Sequence, residues 1–195
     1  MGRNRAGRRL PGQLRIIAGR WRGRRVRLPE QAGVRPTGDR VRETLFNWLA
    51  PVIEGARCLD LFAGSGSLGL EALSRGAGET VFVELEPAAA AQLERNLERL
   101  ECREASVVRA DALRFLDREP RRFDLVFLDP PFGTIDPANL CTLLQRGWLA
   151  EGALVYLESS RRGDPPALPA GWVVDHEKAA GQVRFALVKP GRDAA

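Results

Sequence analysis

Two short stretches of the chain combine residue types and spacings suited to chemistry. Residues 60–69 read Asp-Leu-Phe-Ala-Gly-Ser-Gly-Ser-Leu-Gly and set Gly64, Gly66 and Gly69 in a GxGxxG spacing. Glycines so placed satisfy a tight strand-to-helix turn, and they equally let the backbone approach a nucleotide-like cofactor. Glu84 favours the second use. It closes another apolar run 20 residues after Gly64, where a carboxylate can accept hydrogen bonds from both hydroxyls of a ribose. Asp60 then separates two cofactor chemistries. A pyrophosphate at a helix N-terminus would be repelled by a carboxylate on the adjoining strand end, whereas the ammonium of S-adenosylmethionine would be attracted to it, directly or through water. The expected cofactor is S-adenosylmethionine, held by Asp60, Phe62, Ala63, Gly64, Ser65, Gly66 and Glu84. Asp111 is placed to accept from the adenine amino group, with Ala112 near the ring. Asp111 also suits a helix N-cap, and the two roles are compatible.

The second stretch, Asp129-Pro130-Pro131-Phe132, follows the apolar run Phe123–Leu128. Two prolines remove backbone donors and fix φ, so the segment presents a carboxylate and a carbonyl, both acceptors, in a stiff arrangement. A plain strand-ending turn capped by Asp129 would use the same residues. In combination with the glycine loop, the acceptors suit an exocyclic amine. Gripping its N–H bonds favours a pyramidal nitrogen whose lone pair points at a sulfonium methyl, and Phe132 offers a face on which an extruded base stacks. Methylation of a ring carbon would require a catalytic cysteine, and Cys58, Cys102 and Cys141 all lie outside this turn.

The elements that position these residues follow from hydrophobic patterning. Val41, Leu45, Trp48 and Leu49 mark one face of a helix running to about Pro51, with Thr37 as its expected N-cap. Apolar runs then alternate with helical segments. The runs are Cys58–Leu61, Thr80–Glu84, Ser106–Ala110, Phe123–Asp129 and Ala153–Glu158; the helices are Leu68–Ser74, Ala88–Leu100, Leu113–Arg118 and about Ala138–Gly147. This alternation predicts a parallel sheet covered on both faces, and Trp172–Glu177 with Val183–Val188 read as a closing antiparallel pair. His176 falls on that pair, away from both motifs, and is expected at the surface; the four tryptophans are scattered and read mostly as local packing.

Charge is distributed unevenly. Residues 1–42 hold thirteen arginines against Glu30 and Asp39, a local net of +11 in a chain of net +5. A basic arm on an acidic body is the pattern of a segment that grips a polyanion. Ile16, Ile17, Trp21, Val26 and Leu28 interleave with Arg15, Arg20, Arg22, Arg24 and Arg25, which predicts a small hairpin with a basic face suited to a polyanion such as RNA. Three widely spaced cysteines predict neither a disulfide framework nor a metal site, and no run is long and apolar enough to span a bilayer. The expected location is the cytoplasm. The organisation read from these features is a basic tail at 1–14, a hairpin extension at 15–36, a catalytic domain at 37–189 and a tail at 190–195.

The set Arg15-Ile16-Ile17-Ala18-Gly19, Trp21-Arg22-Gly23-Arg24, Arg35-Pro36-Thr37, Asp39 to Leu49, the glycine loop, Asp129 to Phe132 and Glu177-Lys178 with Ala180 to Val183 resembles the bacterial RsmD family across residues 15–189. The resemblance implies a class I methyltransferase fold, an α/β architecture with a seven-stranded sheet whose last strand is antiparallel. It implies methylation of guanine N2 in 16S ribosomal RNA, with free RNA, a partly assembled small subunit and the mature particle all open as the substrate; a monomer is expected. It also implies that Thr37, Arg35, Arg40 and Arg42 belong to a segment closing over the methionine end and the RNA entrance. Similar families with Asn in place of Asp129 act on adenine N6 or protein glutamine, so the aspartate favours guanine by analogy. Three other readings stay open: an adenine-N6 methyltransferase, a non-catalytic RNA-binding assembly factor, and a nicotinamide-dependent dehydrogenase, which Asp60 and the Pro-Pro turn disfavour.

Overall fold

The computed structural model describes residues 12–29, 37–131, 133 and 135–191. The elements run β1 (Gln13–Arg15), β2 (Arg25–Arg27), α1 (Asp39–Leu49), β3 (Arg57–Asp60), α2 (Ser67–Ser74), β4 (Glu79–Glu84), α3 (Pro87–Arg99), β5 (Ala105–Arg109), α4 (Ala112–Leu116), β6 (Phe123–Leu128), α5 (Pro137–Leu144), β7 (Leu149–Ser160), β8 (Val173–Ala180) and β9 (Val183–Lys189). The last seven strands form one sheet in the order β5-β4-β3-β6-β7-β9-β8, with β9 antiparallel to both its neighbours. The chain enters at the centre, builds outward through β4 and β5, then returns to lay β6 against the other side of β3. Such a reversal opens a crevice at the carboxyl ends of the strands. Asp60 and Asp129 flank it.

The inner strands are apolar on both faces because helices cover both. In β6, Leu125 and Phe127 join one buried cluster with α1, while Val126 and Leu128 join the other with α4 and α5. β7 begins at Leu149, ahead of the expected Ala153. Exposed Glu151 and Gly152 interrupt the apolar run there, and pairing with β6 jumps from Phe123↔Leu149 to Leu125↔Leu154. The start of α1 is also corrected: its N-cap is Gly38, which supplies no side-chain bond, and the helix ends at Leu49. Thr37 is buried with its hydroxyl engaged elsewhere.

The N-terminal hairpin is integral to the packing. Leu14, Ile16, Trp21 and Val26 are buried with Leu70, Leu73, Phe82, Leu93 and Leu97 in a third cluster. Polar groups reinforce the contact. Glu71 accepts from the Ile17 and Ala18 amides at 2.9 and 3.0 Å, and Asn96 pairs with the backbone of Arg27 as a strand would. The hairpin expected at 15–36 therefore shares a core with the sheet; within the expected segments, residues 1–11, 30–36 and 192–195 lie outside the described residues. No helix among the described residues is long and apolar enough to cross a membrane.

Candidate active site

The parallel strands deliver acids to one edge of the sheet because each apolar run stops where the crevice begins. Asp60 ends β3 and is 2% exposed; its Oδ2 accepts from the Gly69 amide at 3.0 Å, tying the far end of the glycine loop to the strand. Burial, reinforced by the charges of Asp129 and Glu84, pushes its carboxyl up to about 7. Glu84 ends β4, accepting from the Gly64 amide at 2.6 Å through Oε2 and from the Glu86 amide at 2.8 Å through Oε1. A carboxylate has about four acceptor sites, so capacity for a ribose remains. Asp111 caps α4, and both of its bonds, from the Leu113 and Arg114 amides, fall on Oδ1. Oδ2 has no hydrogen-bond partner among the described residues.

The loop between them is shaped by sterics. Gly66 has φ +74, and a Cβ there would lie 2.5 Å from Leu93 Cδ1. Gly69 has ordinary φ, yet a Cβ would come within 2.2 Å of the Phe82 ring, so its role is close helix-to-strand packing. Ala63 and Ser65 are buried and Phe62 is half-buried, which leaves backbone as most of what they present to the crevice. Ala112 is likewise committed to the core, at 4% exposure, and offers a ligand little side-chain surface.

Asp129 emerges from β6 half-buried, and the Thr37 hydroxyl donates to its Oδ2 at 3.2 Å. Ser67 donates to Thr37 in turn, at 3.4 Å, linking the glycine loop, the entry to α1 and the Asp-Pro-Pro turn. Burial raises the Asp129 carboxyl above the ordinary aspartate range, opposed by the Thr37 hydrogen bond. Oδ1 has no hydrogen-bond partner among the described residues. Pro130 is buried and Pro131 exposed; Phe132 lies outside the described residues.

The basic residues divide. Arg15, Arg22, Arg24, Arg25 and Arg40 are exposed, with Arg24 donating to the Arg99 carbonyl at 2.7 Å. Arg20 lies over Trp21 and pairs with Glu104 at 2.9 Å. Arg42, expected at the RNA entrance, requires correction: it is fully buried, bonded to Asp39 at 2.8 Å, Glu71 at 3.2 Å and the Arg15 carbonyl at 3.0 Å. Its position on the apolar face of α1, one turn before Leu45 and Phe46, puts it inside. Arg35 lies outside the described residues. His176 is exposed as expected, stacked on half-buried Trp48 with ring centroids 5.0 Å apart.

Two groups escaped the sequence reading. Glu71 is the buried hub of the hairpin, and Glu158, 7% exposed near the end of β7, accepts from the Tyr156 hydroxyl at 2.7 Å. The signal for Glu158 was present: like Asp60 and Glu84 it is an acid ending an apolar run.

No lysine or arginine occurs in residues 60–69, and the acids Asp60, Glu84 and Asp129 gather at one crevice. Among the described residues this cradle is negative and holds no cation, which fits a cationic ligand carrying a ribose and does not fit a pyrophosphate.

The sheet order with its reversed final strand is that of class I methyltransferases. Solved structures agree: the Escherichia coli protein yhhF superposes with a TM-score of 0.86 at 47% identity, over 92% of this chain and 99% of that one. HI0767 of Haemophilus influenzae gives 0.81 at 41% identity, over 93% and 100%. A family model described as conserved hypothetical protein 95 matches residues 14–189, and the chain belongs to that family, the RsmD family its motifs resemble. Among its relatives is the ribosomal RNA small subunit methyltransferase D of Escherichia coli strain K12, 50% identical over 90% of this chain and 89% of the relative.

Proposed function

We propose that the protein transfers the methyl group of S-adenosylmethionine to the exocyclic N2 of a guanine in 16S ribosomal RNA. The observation that carries this reading is the position of Asp129. It stands across the crevice from Asp60, stiffened by Pro130, with one oxygen held by Thr37 and the other without a partner among the described residues. The names of the relatives, ribosomal RNA small subunit methyltransferases, support the same substrate. The reading extends to a monomer acting in the cytoplasm on 16S RNA, free or within an assembling small subunit.

When bound, S-adenosylmethionine supplies an electrophilic methyl carbon on a sulfonium. Glu84 receives the ribose hydroxyls, Asp111 the adenine amine through Oδ2, and Asp60 faces the positive charge of the methionine end. Asp129 Oδ1 and the carbonyl of the Asp-Pro-Pro turn accept the two N–H bonds of the guanine amine, which localises the nitrogen lone pair and aims it at the methyl carbon. With the cofactor held there, the methyl would pass to this nitrogen with S-adenosylhomocysteine as the leaving group, and Asp129 is placed to take the proton released from nitrogen. Its elevated pKa makes it a better base than an ordinary carboxylate. Phe132 is assigned the stacking face for the base, and the exposed arginines of the hairpin and Arg40 the phosphate contacts.

The test is methyl transfer from radiolabelled S-adenosylmethionine to small-subunit RNA, followed by digestion to nucleosides. N2-methylguanosine is expected; N6-methyladenosine or a methylated ring carbon would overturn the assignment. In single turnover, Asp129→Ala should slow transfer by about 100-fold while cofactor affinity stays within a few-fold. Near wild-type rates in that folded variant would remove Asp129 from the chemistry.

A further inference from the structure

The geometry points to Glu158 as the residue that selects guanine, its carboxylate accepting the N1–H of the target base while Asp129 holds the 2-amino group. This rests on the guanine-N2 reading above. In the parallel pairing of β6 with β7, Phe127 lies opposite Tyr156 and Leu128 opposite Leu157, so Asp129 and Glu158 are the next two positions, one residue beyond the last pair, and the charge of Asp129 bears on Glu158. Paired residues of neighbouring strands project to the same side, about 4.8 Å apart at the backbone. Phe127 and Tyr156 belong to the cluster on the α1 side of the sheet, and two residues further on Asp129 and Glu158 return to that side. That is the side from which Thr37 reaches Asp129.

Glu158 is costly where it stands. It is 7% exposed, and among the described residues Tyr156 is the single hydrogen-bond partner of its carboxylate, through Oε2. A buried carboxylate is ordinarily matched by a cation or several donors. The charge bearing on Glu158 is instead that of Asp129, and together with burial it raises the Glu158 carboxyl above the usual range. The Tyr156 hydroxyl fixes one oxygen and leaves Oε1 open beside Asp129. Two acceptors side by side, short of donors, match the adjacent N1–H and N2–H donors of the guanine Watson–Crick edge. Adenine presents an acceptor at N1, which would face the carboxylate lone pairs and be repelled.

The test substitutes the base and the residue together. The target guanosine, located by nuclease-fragment mapping of the radiolabelled RNA, is replaced by 2-aminopurine riboside, which keeps the 2-amino group but has an acceptor at N1. Wild-type protein should prefer guanine by at least about 100-fold in kcat/KM, short of the roughly 10⁴–10⁵-fold reached by a fully enclosed site built around a substrate donor. In Glu158→Gln the amide can donate to an unprotonated N1, so the preference should collapse to within several-fold while cofactor affinity is retained. A role confined to structure would lower both rates in parallel and leave the preference unchanged, overturning the proposal. The wild-type comparison needs no variant, and equal use of the two bases would overturn it as well. A wild-type product other than N2-methylguanosine would instead sink the guanine reading on which the proposal rests.

Discussion

Glu71→Ala should unfasten the N-terminal hairpin from the sheet. The Glu71 carboxylate has no solvent exposure and accepts four donors: the Ile17 and Ala18 amides at 2.9 and 3.0 Å, Arg42 Nη1 at 3.2 Å and Arg75 Nε at 2.8 Å. Its removal leaves Arg42, whose side chain is equally buried, with Asp39 and the Arg15 carbonyl as its remaining partners among the described residues. Breaking a buried pair from one side costs about 3–5 kcal/mol. Each hairpin amide left dry adds roughly 1–3 kcal/mol, offset where water enters the space vacated. A net loss of about 4–6 kcal/mol follows, close to the whole stability of a marginal domain. Urea unfolding without cofactor measures it, and hydrogen exchange locates it, since the Ile17 and Ala18 amides should lose protection first. Adding Arg42→Met to Glu71→Leu removes both charges and should recover the electrostatic part, giving a coupling energy of about 2 kcal/mol or more. A loss below about 1 kcal/mol, or unchanged protection at those amides, would refute the buried-hub account.

Glu84→Ala should weaken S-adenosylmethionine binding by roughly 1.5–3 kcal/mol in calorimetry, and Glu84→Gln by less, because an amide oxygen can still accept from Gly64; an unchanged affinity would exclude Glu84 from the ribose site. Burial holds the Asp60 proton up to about 7 in the folded protein, whereas the unfolded chain releases it in the ordinary aspartate range. Its contribution to stability is thus present below that range and lost as pH rises through about 7. Thermal melts should show this decline flattened in Asp60→Asn. Cofactor binding near neutral pH should release a proton, seen as a binding heat that depends on the buffer; no buffer dependence would separate Asp60 from the ligand's charge. Arg15, Arg22 and Arg40 are exposed and form no ion pair among the described residues, so changing each to Gln should lower the salt slope of RNA binding by about 0.7–0.9 per contact. Equal slopes would show that these side chains do not reach phosphate.

The sequence by itself determined the sheet, the crevice and most of the acids at its rim. Strand periods, glycine spacing and acids at run ends are local features, and local sterics are enough to express them: Gly66 must take a left-handed turn, and Pro130 must stop β6. The antiparallel β9 and the hairpin were legible for the same reason. What required the tertiary structure were groups whose meaning depends on a distant partner. Thr37 has the residue type of an N-cap, yet its hydroxyl turns to Asp129, 92 residues away, because Gly38 begins the helix. Arg42 looks like one more arginine of a basic arm, but helical phase carries it inward, where Glu71 from α2 makes burial tolerable. Glu158 ends an apolar run as Asp60 does, and only the register of β7 against β6 sets it beside Asp129. Charge and hydrogen bonding act through space, so a pattern along the chain names the acids while the fold decides which of them stand together.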